Sequence, residues 1–307
     1  MELILDKEVR TELIRLMSNY SKEHPNLSSA NFNIEKIDST SISYYQKLQD
    51  IQDRVKSLTG RELSIISLGL LTLSFMALTF SADETKQLIP WRESDKSPNP
   101  NFVVSCLLIN AVNDGIAVLK LLQDGLEYPA RLVLRAFLEV SWLSIISTGD
   151  KNIMKLYAQD LDDKSEKRLY RQHLSQEKLT EYLTRIENSI GLTEEDSKNL
   201  AKVRKDLYSL YSKTIHNSYP AAIAGAFFSL LDVQQDNEVC GFLGEVSLGT
   251  PQTIFQLGEA LFYLLAMIPQ VLECSYGIPC HHSLEWQRVH ALSHCYISLF
   301  YQLAKDK

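Results

Sequence analysis

The sequence is poor in the residues that end helices and form turns. Glycine occurs 12 times and proline nine times in 307 residues, a low total for so long a chain. A turn-rich β architecture is therefore disfavoured, and helices are expected. With 45% hydrophobic and 22% charged residues, the composition also excludes disordered, collagen-like and coiled-coil chains.

The chain also lacks an excess of basic charge. Its 31 Lys and Arg are outnumbered by 38 Asp and Glu, which gives a net charge of −7. Proteins that bind nucleic acid over a large surface do so by releasing counterions from many phosphates, and this requires an excess of positive charge. Any nucleic-acid site on this chain must therefore be local.

Neither a disulfide framework nor a secretory signal is visible. The cysteines are odd in number and widely spaced, unlike those of a small disulfide-stabilised protein. The first residues, Met1 to Asp6, are acidic at once and lack the basic region and apolar run of a signal peptide. We therefore expect a cytoplasmic protein with reduced thiols.

One long run, Leu63 to Ser81, contains no charged residue. Its length is close to the roughly 20 residues that a membrane-spanning helix requires. However, small or polar residues interrupt it repeatedly, and no basic cluster flanks it to set an orientation. We interpret the run as a buried core helix and keep a membrane anchor as the less favoured alternative.

The overall pattern predicts an all-α protein, a multi-helix bundle with an N-terminal helical extension. We assign residues 1–86 to the extension, residues 87–101 to a linker or long loop that contains three prolines, and residues 102–307 to the bundle core. Short connections between apolar helices predict antiparallel neighbours. The core helices are expected to begin near Phe102, Glu127, Leu200, Ala221, Gln252 and Ser283.

The helix that begins at Glu127 carries a stripe of charge. Arg131, Arg135 and Glu139 are spaced by four residues and share one face, whereas the other faces are apolar. Buried charges need partners, because an unpaired one costs several kcal/mol. The stripe is therefore either a closed Arg–Glu network with a structural role or the lining of a cavity that holds phosphate or carboxylate.

A histidine, His216, follows near the end of a second helical segment, just before Pro220. A histidine in this position can cap the last carbonyls of the helix and interact favourably with its dipole. It is also a candidate acid or base, because its ordinary pKa lies close to neutrality.

These two segments resemble those of an uncharacterised group of bacterial all-α proteins. That group has an Ala-Arg-x-x-x-Arg-x-x-x-Glu helix, here Ala130 to Glu139, and a Ser-x-x-x-His segment, here Ser212 to His216. The resemblance covers roughly Phe102 to Ala226. Members of the group look related to the HEPN superfamily of helical ribonucleases and nucleotide-handling proteins. The resemblance therefore implies a HEPN-like core and an effector of bacterial stress or phage defence that cleaves or binds RNA.

HEPN ribonucleases carry an arginine followed after four to six residues by a histidine, and these side chains meet their symmetry mates in a dimer. Two segments resemble this motif: Arg168 to His173, and Arg288 to His294, where Val289 replaces the usual polar residue. The resemblance implies a homodimer, RNA as substrate and an antitoxin or other partner protein. The histidine would act as acid or base and the arginine would stabilise phosphorane charge without a metal.

We predict no metal and no cofactor. Four histidines lie between His281 and His294, and His290 and His294 could together bind one ion, but no Cys-x-x-Cys pair accompanies them. Phosphate-binding glycine loops and zinc-protease or hydrolase motifs are also missing from the sequence. The alternative function is therefore a non-catalytic helical interaction or sensor protein in which the Arg–Glu stripe is structural.

Overall fold

The computed structural model describes residues 34–80, 87–92, 98–159, 163–215 and 249–306, together with seven positions between 11 and 22. Within these residues the regular secondary structure is entirely helical, which confirms the predicted all-α class. The helices are α1 (Ile34–Phe80), α2 (Pro100–Gln123), α3 (Glu127–Gly149), α4 (Lys151–Tyr157), α5 (Asp163–Leu169), α6 (Gln176–Ser189), α7 (Glu194–Ile215), α8 (Thr250–Tyr276) and α9 (Leu284–Lys305), with a π-helical turn at Tyr170–Leu174 between α5 and α6.

Local sequence accounts for several helix ends. Asn99 caps α2 by accepting a hydrogen bond from the backbone N–H of Asn101, and proline occupies the first turn of the helix. Gly125 has a φ of 72° in the short turn between α2 and α3, a conformation that a residue with a Cβ adopts only with strain. Ser283 caps α9 by accepting a hydrogen bond from the N–H of Trp286. The predicted helix from Ala221 lies outside the described residues.

Helices α1 and α2 form an antiparallel pair. The Ser105 hydroxyl donates a 2.9 Å hydrogen bond to the carbonyl of Ala77, and Gln52 donates a 2.7 Å bond to Asp124 at the other end of the pair. The apolar half of α1 packs with α2, α8 and α9, and it shares one continuous core with α3. Part of the predicted N-terminal extension therefore contributes to the same core as the bundle.

Polar helices cover the other side of α3. Helix α7 runs along α3, because the hydroxyl of Tyr128 donates a 2.8 Å hydrogen bond to the carbonyl of Thr214 and Arg135 reaches Tyr208. Helix α6 packs on both α3 and α7. The outer face of α7 is charged and exposed, as at Glu194, Lys198, Lys202 and Lys205. The bundle therefore has one apolar side, formed by α1 and α2, and one charged side.

The prediction of a cytoplasmic protein is wrong. In the part of the chain that the structure describes, four helical segments, each between 23 and 29 residues long, have the length and apolar composition required to cross a membrane. Between 56% and 61% of the most apolar window of each is buried inside the protein, and the rest of each window is at least partly accessible. A chain with four such helices is indicated as a membrane protein. The segments are Gln52–Phe80, Pro100–Gln123, Glu127–Gly149 and Thr250–Tyr276.

The uncharged run from Leu63 has to be reinterpreted in the same way. It does contribute buried residues to the core, as predicted, but it also forms the apolar end of the first of the four segments. Its small polar side chains do not oppose this, because several donate hydrogen bonds to the carbonyl one turn earlier. Thr72 donates to Leu68 and Ser74 donates to Leu70. Such internal bonding is how hydroxyl groups are accommodated in an apolar helix.

Candidate functional site

The first arginine of the stripe on α3 is held by a glutamate one turn earlier. The Nε of Arg131 lies 2.5 Å from an Oε1 of Glu127, whose side chain is only 6% exposed. The same carboxylate oxygen accepts a 2.7 Å hydrogen bond from the hydroxyl of Thr253, near the start of α8. A Cβ placed on Gly249 would lie 2.7 Å from this oxygen, so the beginning of α8 sits directly on the carboxylate. The positive end of the helix dipole favours a negative charge at this point.

The second arginine is enclosed by a glutamate and a tyrosine. The Nε of Arg135 donates a 3.0 Å hydrogen bond to Glu139, and its Nη2 donates a 2.6 Å bond to the hydroxyl of Tyr208. The guanidinium also lies 4.4 Å from the centre of the Tyr208 ring, a cation–π distance. Tyr170 stands close to this group, and burial together with the charge of Glu139 raises the pKa of its hydroxyl. Arg135 is thus stabilised by groups from α3 and α7.

The stripe is therefore two separate ion pairs. Arg131 and Arg135, predicted to share one function, each bind their own carboxylate, and their side chains are 18% and 15% exposed. Glu127 is the ion-pair partner of Arg131, and the sequence analysis did not identify it. The signal was present, because Glu127 precedes Arg131 by four residues and such pairs face each other on a helix.

The polar layer continues between α7 and α8. The Tyr211 side chain is fully buried, and its hydroxyl donates a hydrogen bond to Gln256. Burial raises the pKa of this hydroxyl well above its ordinary value, so Tyr211 stays neutral and donates its proton. The predicted site residue His216 lies outside the described residues.

The second predicted set lies on α9, far along the chain from the stripe. Arg288 and His294 are both exposed. At about 100° of rotation per residue, six residues place their side chains about 120° apart around the helix. Within one chain they therefore do not form a pair on one face. In the other resembling segment, His173 contacts the hydroxyl of Tyr182 at 3.2 Å, and Arg168 is exposed.

The described residues contain no group of three or more histidine, cysteine, aspartate or glutamate side chains that could hold a metal ion. His290 and His294 differ in their surroundings. The Nε2 of His290 is buried, and its ring meets Trp286 edge-on at 4.9 Å, whereas His294 is exposed. Burial lowers the pKa of His290, although Glu273 opposes the shift.

A cavity of about 360 Å³ with a mixed polar and apolar lining opens beside the second ion pair. Among the described members of the predicted site, Glu139 alone lines it. Side chains from α2, namely Asn110, Asn113 and Asp114, form its polar wall, and Tyr157 approaches from α4. The carboxylate of Glu139 is also the most exposed part of the stripe, at 33%. Any small polar guest near the stripe would therefore meet Glu139 and not the arginines.

A further ion pair, which the sequence analysis did not identify, is buried between α6 and α7. The Nη1 of Arg204 lies 2.5 Å from the Oε1 of Glu187, and the two side chains are 5% and 0% exposed. The hydroxyl of Tyr263 on α8 donates a 2.6 Å hydrogen bond to the same carboxylate. Arg204 lies in a highly charged stretch of α7, so its burial could not be read from composition.

No protein-family model, curated protein or solved structure matches this chain. The HEPN-like core and the ribonuclease activity therefore stay predictions that rest on the resemblance of the stripe and the histidine segments.

Proposed function

We propose that this chain is a membrane-bound, non-catalytic interaction or sensor protein. In this proposal α1 and α2 contact lipid, while α6 and α7 face water. The observation that carries the proposal is the distribution of exposed side chains over these two pairs of helices. The proposed function is the non-catalytic alternative that the sequence also predicts, with a membrane location added.

The outward faces of α1 and α2 are apolar where the two helices run side by side. Large hydrophobic side chains there are between 42% and 66% exposed, which is unusual for a water-facing surface. From Leu63 to Phe80, α1 rises about 27 Å, close to the roughly 30 Å hydrocarbon thickness of a bilayer. The exposed set comprises Leu71, Phe75, Phe102, Ile109 and Ile116.

Apart from Asp114, which lies near the middle of α2 and lines the cavity beside Glu139, the charged residues of α2 and of the apolar half of α1 lie at one end of the pair. Arg61 pairs with Asp306, Lys120 occupies the last turn of α2, and Asp124 follows it. Charges at the ends of an apolar segment can reach the interfacial water, whereas charges at its centre cost several kcal/mol. The charged outer face of α7 also requires water, which fixes the polar side of the bundle.

The proposal includes no catalysis because both arginines of the stripe on α3 are paired with carboxylates. Arg131 and Arg135 donate to Glu127, Glu139 and Tyr208, so an anionic substrate would have to compete with these carboxylates for each guanidinium. Removing a carboxylate to admit a substrate would leave a poorly solvated guanidinium without its partner. The pairs therefore support a structural role for the stripe.

Membrane extraction tests the proposal. The full chain should remain in the membrane pellet after alkaline carbonate treatment and dissolve in detergent. The double substitution Phe75→Glu and Ile109→Glu should shift it towards the soluble fraction, since both side chains would place a charge against lipid. The control, Leu284→Glu, changes a side chain on α9 that is 59% exposed and should leave the protein in the pellet. Wild-type chain in the soluble fraction without detergent would contradict the proposal.

A second candidate, the HEPN-like ribonuclease, is favoured by one observation. Arg288 and His294 are both exposed on α9, so in a homodimer they could meet the same residues of a second copy. Purified wild-type protein should then cleave RNA without added metal, and His294→Ala should abolish cleavage. Equal activity of wild type and His294→Ala, or none in either, would remove this candidate.

A further inference from the structure

A second cavity, of about 480 Å³, forms a groove between α7, α8 and α9 above the floor provided by α3. Its size falls within the range of about 300–1,000 Å³ that is usual for small-molecule sites. Most of its wall is apolar, with Trp142 in the floor and Phe255, Phe262 and Phe300 along the sides. Polar groups are few, as they are in sites that bind apolar ligands and fix their orientation with one or two hydrogen bonds.

Arg204 supplies one of these polar groups. It lines the groove, is 4% exposed, and uses Nη1 and Nη2 to bind Glu187, Tyr263 and Thr184. Its Nε is buried and has no hydrogen-bond partner among the described residues. A buried donor without an acceptor costs about 1–3 kcal/mol. Because Arg204 lines the groove, a ligand there whose acceptor reaches Nε would remove this penalty.

The charges around the groove select a neutral acceptor over an anion. The positive charge of Arg204 is already balanced by Glu187. The other acidic or basic side chain among the described residues of the wall is Glu259, whose carboxylate would repel a carboxylate or a phosphate. A carbonyl oxygen can accept the hydrogen bond from Nε without bringing charge into an apolar groove.

We propose that the groove binds a neutral long-chain acyl ester, whose hydrocarbon chain packs against Phe255, Phe262 and Phe300 and whose carbonyl accepts a hydrogen bond from Nε of Arg204. The proposal goes beyond the membrane-bound interaction function and does not depend on it, since it concerns α7, α8 and α9 and not the lipid-facing pair. Lipid esters are nevertheless abundant at a membrane, so the two assignments are compatible.

Quenching of tryptophan fluorescence tests the proposal. The probe is a monoacylglycerol brominated on its acyl chain, added to the full chain in detergent. Binding should quench the emission of Trp142 saturably, and the saturable part should disappear in Trp142→Phe. A brominated alkane of the same length should bind about tenfold more weakly, because it cannot accept the hydrogen bond. The corresponding brominated fatty acid at pH 8 should also bind more weakly.

Three variants test whether the groove is the site at which the ester binds. Ala266→Phe fills the groove from α8 and should weaken ester binding at least tenfold. Its control, Ala291→Phe, adds the same ring at an exposed position of α9 outside the groove and should leave binding unchanged. Arg204→Lys keeps a positive charge beside Glu187 but lacks Nε, so it should remove the preference for the ester over the alkane. Unchanged far-ultraviolet circular dichroism establishes that each variant is folded.

Several results would overturn the proposal. Equal binding of ester and alkane to the wild type would show that Nε does not select the ligand. Tighter binding of the fatty acid would show that the groove prefers an anion. Ester quenching that persists in a folded Ala266→Phe variant would place the binding site elsewhere, as would the absence of saturable quenching in the wild type.

Discussion

Removing the carboxylate of Glu187 should destabilise the protein more than almost any other single change of charge. The side chain is 0% exposed and accepts hydrogen bonds from Arg204 and Tyr263. In Glu187→Gln the guanidinium of Arg204 stays buried without its counter-ion. Loss of one partner of a buried ion pair typically costs about 3–5 kcal/mol of unfolding free energy. We expect a loss within this range.

The reasoning can be checked with a double-mutant cycle. The single variants Glu187→Leu and Arg204→Met should each be strongly destabilising. Glu187→Leu leaves the guanidinium of Arg204 without its counter-ion, and Arg204→Met leaves Glu187 buried with Tyr263 as its main remaining donor. The double variant Glu187→Leu with Arg204→Met should recover much of the loss, since two apolar side chains replace the whole pair. Unfolding free energies would be measured by urea denaturation in detergent, followed by circular dichroism.

An exposed pair of the same residue classes provides the control. Glu194 and Lys198 lie 2.8 Å apart, with side chains 80% and 72% exposed. Glu194→Gln should therefore leave the denaturation midpoint unchanged within error, because solvent screens exposed charges. If Glu187→Gln were equally harmless, Glu187 and Arg204 would not be a buried pair. If the double variant lost as much as the sum of the single variants, the two residues would not be coupled.

The remaining predictions concern packing and pH. Gly258→Ala should lower the unfolding free energy by about 1–3 kcal/mol, because a Cβ there would collide with the ring of Phe300. Thermal unfolding would measure this loss. The control is Gly60→Ala, which should be neutral or stabilising because a Cβ at Gly60 would have nothing within 4 Å. Burial lowers the pKa of His290 in the folded chain below its ordinary value of 6.5. Below pH 6.5 the unfolded chain therefore binds a proton that the folded chain does not. The free energy of unfolding should fall as the pH drops from 6.5 to the pKa of His290 in the folded chain. His290→Phe should flatten this slope, and an unchanged slope would contradict the assignment. Glu127→Gln should destabilise the wild type more than Glu139→Gln, since Glu127 is 6% exposed and Glu139 33%; equal midpoints in urea would contradict the geometry.

The apolar helices were the most predictable part of the fold. The predicted segments from Phe102, Glu127, Gln252 and Ser283 agree with α2, α3, α8 and α9 to within two residues at their starts. In these segments the apolar pattern coincides with clear end signals, such as the proline near the start of α2 and the serine before α9. Local sequence therefore sufficed there.

The candidate site was less predictable, because it depends on contacts between helices. The four-residue spacing of Arg135 and Glu139 predicts that they pair. Tyr208, however, lies 73 residues after Arg135 and contacts it only because α7 packs on α3. Arg204 was hidden in the same way, since its partners Glu187 and Tyr263 lie on two other helices. A single sequence carries no signal of such contacts.

The localisation was mispredicted for a different reason. The small polar residues of the run from Leu63 argue against a membrane span only when that run is considered without the other apolar helices. The hydroxyl groups of Thr72 and Ser74 bond within their own helix, so they present little unsatisfied polarity to a bilayer. Counting four long apolar helices together, and not one at a time, would have indicated the membrane.

The central claim is that α1 and α2 face lipid while α7 faces water. Spin labels at Ile109 and at Lys202, each introduced as a cysteine into a chain with its native cysteines replaced by serine, test it directly in liposomes. The account predicts that the label at 109 is relaxed mainly by oxygen, which concentrates in lipid, and the label at 202 mainly by a water-soluble nickel complex. Equal access of the nickel complex to both labels would contradict it.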